Sequence, residues 1–136
     1  MGMDSTANEL RAYRRNLPHW RLEGSVYFIT WRMHKAQSDL QPDERDIVVE
    51  ALRHFDGLRY ELAGYVVMND HVHVVIWPED GHTLEELCHS WKSFTAHELQ
   101  QKFGRMGSIW QDESFDHIIR TEGEYAGKLM YILNNP

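Results

Sequence analysis

Two valine-rich runs, separated by only two residues, restrict the fold of this chain more than any other feature. "LRYELAGYVVM" (Leu58 to Met68) and "HVHVVIW" (His71 to Trp77) are β-branched and aromatic, and Asn69-Asp70 is all that lies between them. That spacing and that dipeptide predict two strands closed by a two-residue hairpin turn. The flanking segments alternate in type. "GSVYFITWRMHK" (Gly24 to Lys35) has partial alternation and predicts a strand. Pro42 opens a helix with acids in its first turn and Ile47, Val48, Ala51, Leu52 and Phe55 at helical spacing, and Gly57 stops it. Thr83 caps a long helix, "LEELCHSWKSFTAHELQQKF", with Glu86 placed for a capping box and Gly104 and Gly107 at its end. "FDHIIR" (Phe115 to Arg120) predicts a short strand, and "GEYAGKLMYILNN" (Gly123 to Asn135) a final helix closed by Pro136. The order β-α-β-β-α-β-α predicts an α+β fold. Its first six elements match a ferredoxin-like antiparallel sheet with helices on one face, and the seventh is an additional C-terminal helix.

Composition narrows the class. At 136 residues, 42% hydrophobic and 26% charged, the chain is expected to be one globular domain with a single core. It has no apolar run near the roughly 20 residues of a membrane span, and its N-terminus lacks the apolar stretch of a secretory signal. The lone Cys88 excludes an internal disulfide and a cysteine-based zinc site, which suits a reducing cytoplasm. Fourteen Lys+Arg against 21 Asp+Glu give a net charge of −7, the wrong sign for coating nucleic acid by charge alone. The acid is uneven, however. "RAYRRNLPHWR" (Arg11 to Arg21) carries four arginines and no acid, so any contact with a polyanion is expected to be local. Residues 1–17 read as a basic arm and 18–136 as the domain.

His71 and His73 lie one residue apart on a strand and therefore project side by side. Four readings compete. The pair can be two hydrogen-bonded histidines of a half-buried sheet. It can belong to a structural zinc site, but no cysteine pair or H-E-x-x-H supplies further ligands. It can belong to a nucleotide hydrolase with a third alternating histidine as nucleophile, but that position is Val75. Or it can hold a divalent metal completed by an oxygen ligand from another element and paired with a tyrosine. The fourth reading requires a tyrosine and a polar ligand on a helix. The last helix offers both: Tyr131 and Asn135 are four residues apart and about 40° around a helix, with Asn134, about 60° to the other side, as the weaker ligand candidate. Tyr125 falls on a different face. On its own, Tyr131 reads better as a core anchor beside Leu129 and Ile132 than as a nucleophile.

Together, "VVMNDHVHVVIW", "IWQDESFDHIIR" and "YAGKLMYILNNP" resemble the tyrosine HUH transposases, in particular the REP-associated tyrosine transposases and the transposases of single-stranded insertion sequences. The similarity runs from Arg14 to Pro136 in order. It implies that His71 and His73 bind Mg²⁺ or Mn²⁺, with Asn135 as the helix-borne ligand and Tyr131 as nucleophile. It implies an endonuclease and strand transferase that cuts single-stranded DNA at REP-like hairpins through a 5′-phosphotyrosine and frees a 3′-hydroxyl for rejoining. A phenol ionises near pH 10, so a nucleophile of this type gains from a nearby cation or base. Family members mostly continue past "NNP", so the domain reads as one without the C-terminal tail.

Candidate DNA contacts are Arg11, Arg14, Arg15, Trp20, Arg120 and Lys128, because single strands are held by basic groups and aromatic stacking. His117 matches a motif position and reads equally as a sheet histidine. The expected partner is hairpin-bearing single-stranded DNA, bound by a monomer or homodimer with no membrane involved. Two other readings stand beside this one: a hairpin-binding protein that no longer cuts, and a metal-binding structural domain.

Overall fold

The computed structural model describes residues 12–13 and 25–134. In chain order the elements are β1 (Ala12–Tyr13), β2 (Val26–Met33), α1 (Pro42–His54), β3 (Tyr60–Val67), β4 (His71–Pro78), α2 (Leu84–Phe103), β5 (Trp110–Ile119) and α3 (Glu122–Asn134). The five strands form one sheet in the order β1-β3-β4-β2-β5, with every neighbouring pair antiparallel. The expected α+β architecture is present, with β2 and β4 at its centre.

Strands β3 and β4 are apolar on both sides because both faces of the sheet are covered. On one face, Trp31, Tyr65, Val72 and Val74 pack with Val48 and Leu52 of α1 and Leu87, Trp91 and Leu99 of α2. Polar atoms buried there are paired. Trp91 Nε1 donates to Tyr60 Oη at 3.0 Å, Tyr60 Oη to the Leu52 carbonyl at 2.5 Å, and Trp110 Nε1 to Thr95 Oγ1 at 2.9 Å. Burial pushes the Tyr60 phenol up to about 12. On the opposite face, Val26, Phe28, Val66, Val75 and Ile119 meet Tyr125, Leu129 and Ile132 of α3. The final helix therefore lies across the sheet from α1 and α2.

The hairpin between β3 and β4 is tied to the rest of the molecule. Met68 N donates to the His71 carbonyl at 2.8 Å, closing the turn, while Asn69 and Asp70 offer their carbonyls to Leu40 N and Met33 N at 2.7 and 2.9 Å. Arg45 Nη1 holds the Asn69 side chain at 2.8 Å. The turn is fixed by chain segments on either side of the loop into α1, and so is the start of the histidine strand.

Two elements differ from the sequence expectation. Strand β5 begins at Trp110, five residues before Phe115. Asp112, Glu113 and Ser114 hide its beginning from a hydrophobic pattern, because β5 is an edge strand. Its register against β2 shifts between Trp31 and Met33, and Lys92 Nζ reaches the carbonyls of Gln111, Asp112 and Glu113 at 3.0, 3.2 and 3.3 Å across that irregularity. The second difference lies in the arm, where Ala12 and Tyr13 pair with Tyr65 and Gly64 as an edge strand. Two residues carry no periodicity from which that pairing could be read.

Candidate active site

Strand β4 places His71 and His73 on the face of the sheet that α3 partly covers. Across the ladder, β2 sets Arg32 opposite His71, Thr30 opposite His73 and Phe28 opposite Val75. The two imidazoles are 4.8 Å apart at their centroids and inclined at 76°. Each is oriented through Nδ1: His71 is bonded to Asp70 Oδ1 at 2.7 Å and His73 to Thr30 Oγ1 at 2.8 Å. Phe28 stacks on His73 at 5.3 Å and 20°.

His73 is 5% exposed, and its Nε2 is buried without a hydrogen-bond partner among the described residues. Burial pushes its pKa down to about 4, and the charges of His71, Arg32 and Lys128 push the same way. His73 is therefore neutral at physiological pH. An imidazole held at one nitrogen, neutral and unpaired at the other, is the donor a divalent metal requires. His71 is likewise held at Nδ1, by the Asp70 carboxylate. The pair fits a metal. Among the described residues no third His, Cys, Asp or Glu joins them in a cluster that could complete a site. Asn135, expected as the helix-borne ligand, lies outside the described residues.

Helix α3 delivers Tyr131 to the same place. Thr121 Oγ1 accepts from Glu124 N at 3.0 Å and starts the helix. Leu129 and Ile132 anchor it on the sheet. Tyr131 then lies 5.4 Å from the His73 ring and 6.1 Å from Phe28, and it is 51% exposed. Tyr125 is 1% exposed within the core, where burial raises its pKa. Of the two tyrosines on this helix, only Tyr131 combines contact with the histidine pair and access from solvent.

His71, His73 and Tyr125 sit inside the stretch that decides the family, and Tyr131 lies two residues past its end. Residues 25–129 match the family described as "Transposase IS200 like". The chain belongs to that family. A REP-associated tyrosine transposase of Escherichia coli K12 is 23% identical over 128 residues, spanning 91% of this chain and 71% of the relative. Among solved structures, a REP-associated tyrosine transposase bound to a REP hairpin superposes with a TM-score of 0.70 at 21% identity, covering 90% of this chain and 73% of the other. A candidate transposase from Deinococcus radiodurans R1 gives 0.62 at 19% identity, covering 89% and 97%. At these identities the structural likenesses establish a shared fold.

Within this IS200-like transposase, the structure gathers His71, His73, Tyr131 and Lys128. Lys128 Nζ lies 4.6 Å from the Phe28 ring centroid, one turn before Tyr131. Arg120 is exposed past the end of β5, its main-chain N–H bonded to Glu124 at 2.8 Å, and it is absent from the charges felt by His73. Arg11, Arg14, Arg15 and Trp20 lie outside the described residues. His117 pairs with Glu124 and ties β5 to the first turn of α3. Thr30, Arg32, Asp70 and Phe28 were not singled out by the sequence reading. For Thr30, Arg32 and Phe28 the signal is the two-residue period of β2 laid against β4, legible only once the register is known, whereas Asp70 directly precedes His71 in the chain.

Proposed function

We propose that this transposase cuts and rejoins single-stranded DNA at hairpins through a covalent 5′-phosphotyrosine at Tyr131. One observation carries the reading: an exposed tyrosine stands against a histidine pair held at both Nδ1 atoms, with the His73 Nε2 unpartnered among the described residues. His71 and His73 would hold Mg²⁺ or Mn²⁺, with Asn135 as a further ligand. When bound there, the metal withdraws charge from a non-bridging phosphate oxygen.

The chain's own groups do the rest. Thr30 and Asp70 fix the orientation of the two imidazoles. Arg32 and Lys128 offer positive charge to an anionic phosphodiester on the same face. Phe28 and His73 meet the Tyr131 ring edge-on and steady it, while about half of the residue stays open to solvent. Tyr131 Oη forms a bond to phosphorus as the bond to the 3′ oxygen breaks. The phenolic proton passes to solvent, and the departing 3′ oxygen leaves as a hydroxyl. Attack by that hydroxyl, or by another, reverses the step and restores the phenol, so strand transfer needs no nucleotide cofactor. The basic arm with Arg11, Arg14, Arg15 and Trp20 would grip the hairpin, with Arg120 as an outlying contact. No described helix is long and apolar enough to cross a membrane, and a cytoplasmic protein acting as monomer or homodimer fits this role.

The experiment is a covalent-adduct assay. Wild type, Tyr131→Phe and Tyr125→Phe are incubated with 3′-labelled hairpin oligonucleotides and Mg²⁺ or Mn²⁺, then run on denaturing gels. The labelled fragment bearing the 5′ phosphate should travel with protein in wild type and vanish in Tyr131→Phe with little change in hairpin affinity. An adduct that survives Tyr131→Phe assigns the nucleophile elsewhere. Tight hairpin binding by wild type without any adduct makes the chain a binding protein.

A further inference from the structure

Phe115 is a large apolar side chain left 61% exposed on the edge strand β5. Its cross-strand partner is Thr30, and Thr30's partner on the other side is His73. Cross-strand partners point to the same face of a sheet, so Phe115, Thr30 and His73 form one rung across three strands. With neighbouring strands about 4.8 Å apart, the Phe115 and His73 backbones are roughly 10 Å apart. The interval is comparable to the reach from a phosphate to the base of the same or the next nucleotide.

The ring has little reason to be there for folding. Among the described residues no ring contact engages it, and it belongs to neither core cluster. Two other exposed phenylalanines, Phe94 and Phe103, are on α2, across the sheet. The chain neighbours of Phe115 turn the other way: Ser114 and Asp116 line a pocket with Cys88, His89 and Lys92 on the α2 side. Asp116 is therefore directed away from the face that carries Phe115. That face instead presents Arg32, exposed and two residues along β2 from Thr30, and Lys128 over Phe28.

We infer that Phe115 is a stacking platform for one unpaired DNA base beside the phosphate that meets Tyr131. This rests on the function proposed above and assigns the residue that sets how the single strand lies across the site. An exposed aromatic face accepts any base, so the platform positions the strand without reading its sequence. Arg32, on the intervening strand, is placed to take the adjoining backbone phosphate. A second copy pairing along β5 is the other use of an exposed ring on a sheet edge. It is disfavoured by the exposed acids Asp112 and Glu113 on the same strand.

The test uses binding in EDTA, where no cutting occurs. The probe is a DNA hairpin with a single-stranded oligothymidine flank that carries one 2-aminopurine at successive positions, so that the hairpin fixes the register. Wild type should quench the fluorophore at one position, Phe115→Ala should abolish that quench and weaken affinity roughly 5- to 100-fold, and Phe115→Tyr should restore both. Equal affinity and equal quenching in a folded Phe115→Ala protein would overturn the proposal. So would loss of a concentration-dependent dimer in sedimentation with DNA affinity intact, which would assign the ring to a subunit contact. The result is independent of the adduct assay: quenching that depends on Phe115 stands even if Tyr131 proves not to be the nucleophile.

Discussion

Replacing Thr30 with valine removes one oxygen from the wall of the site and keeps the shape of the side chain. Thr30 is 8% exposed and His73 5% exposed, so no water readily replaces the 2.8 Å bond between Oγ1 and His73 Nδ1. Two effects follow. An imidazole nitrogen left without a partner in the interior costs about 1–3 kcal/mol, which for a domain of this size lowers the melting temperature by roughly 3–10 °C. With Nδ1 no longer held, the two neutral tautomers compete and the Nε2 lone pair is no longer guaranteed. Loss of such an orienting partner typically lowers metal affinity 10–100-fold. Melting in EDTA reads the first effect, and titration with Mn²⁺ followed by electron paramagnetic resonance reads the second. Thr30→Ser, which keeps the oxygen, should recover the metal affinity. A folded Thr30→Val protein that binds Mn²⁺ as tightly as wild type would refute the orienting role of Thr30.

Two further expectations concern stability. His73 has a folded-state pKa near 4 against an ordinary value of 6.5, so below pH 6.5 the unfolded chain takes up a proton that the folded chain refuses. Its contribution is complete above pH 6.5 and is lost as pH falls to 4, at most about 3 kcal/mol. Urea unfolding in EDTA across that range should show the loss in wild type and a shallower slope in His73→Gln; equal slopes would deny that His73 is held neutral. Arg105 anchors the loop after α2 to α1 through both oxygens of the 3%-exposed Glu44, at 2.5 and 2.8 Å. Burial pushes the Glu44 pKa up but is outweighed by the Arg105 bond and charge and the Gln41 N–H. Arg105→Ala should cost about 3–5 kcal/mol by chemical denaturation, and Glu44→Gln in the same chain should recover part of it. A loss below 1 kcal/mol would show the pair to be solvated.

What the sequence showed, and what it withheld, follows from the range of the interactions involved. The capping box of α2 is local: Thr83 Oγ1 accepts from Glu86 N at 3.1 Å and Glu86 Oε1 from Thr83 N at 3.2 Å, four consecutive residues that state their own geometry. Gly104, at φ 70°, ends that helix in a conformation glycine adopts without strain. The side-by-side histidines follow from the two-residue period of a strand. The separation of Tyr131 from Tyr125 follows from helical period, and the structure accordingly buries one and exposes the other. Thr30 and Phe115 were not legible, because their place beside His73 depends on which strands neighbour β4 and in what register. Residues 30, 73 and 115 are about forty apart, and no local propensity encodes their alignment.

The net charge of −7 and the reading as a DNA enzyme are reconciled by where the charges stand. Acids cluster in the first turns of the helices that pack on the far face of the sheet, Asp43 and Glu44 in α1 and Glu85 and Glu86 in α2. Near the site the carboxylates are engaged: Asp70 holds His71, and Glu124 holds His117 and the Arg120 N–H. These hydrogen bonds and the neighbouring positive charges keep the Glu124 carboxyl below its ordinary range. Among the described residues Arg32 and Lys128 form no salt bridge; both bear on His73, and Lys128 also acts at longer range on Glu124. A small positive patch of this kind attracts a phosphate over about one Debye length, near 8 Å at physiological salt, while the far acids are largely screened. Arg32 and Lys128 alone should give binding at this face that falls gently with salt, with stacking on the proposed Phe115 platform adding to it. The arginines of the arm, proposed above to grip the hairpin, should instead steepen the fall.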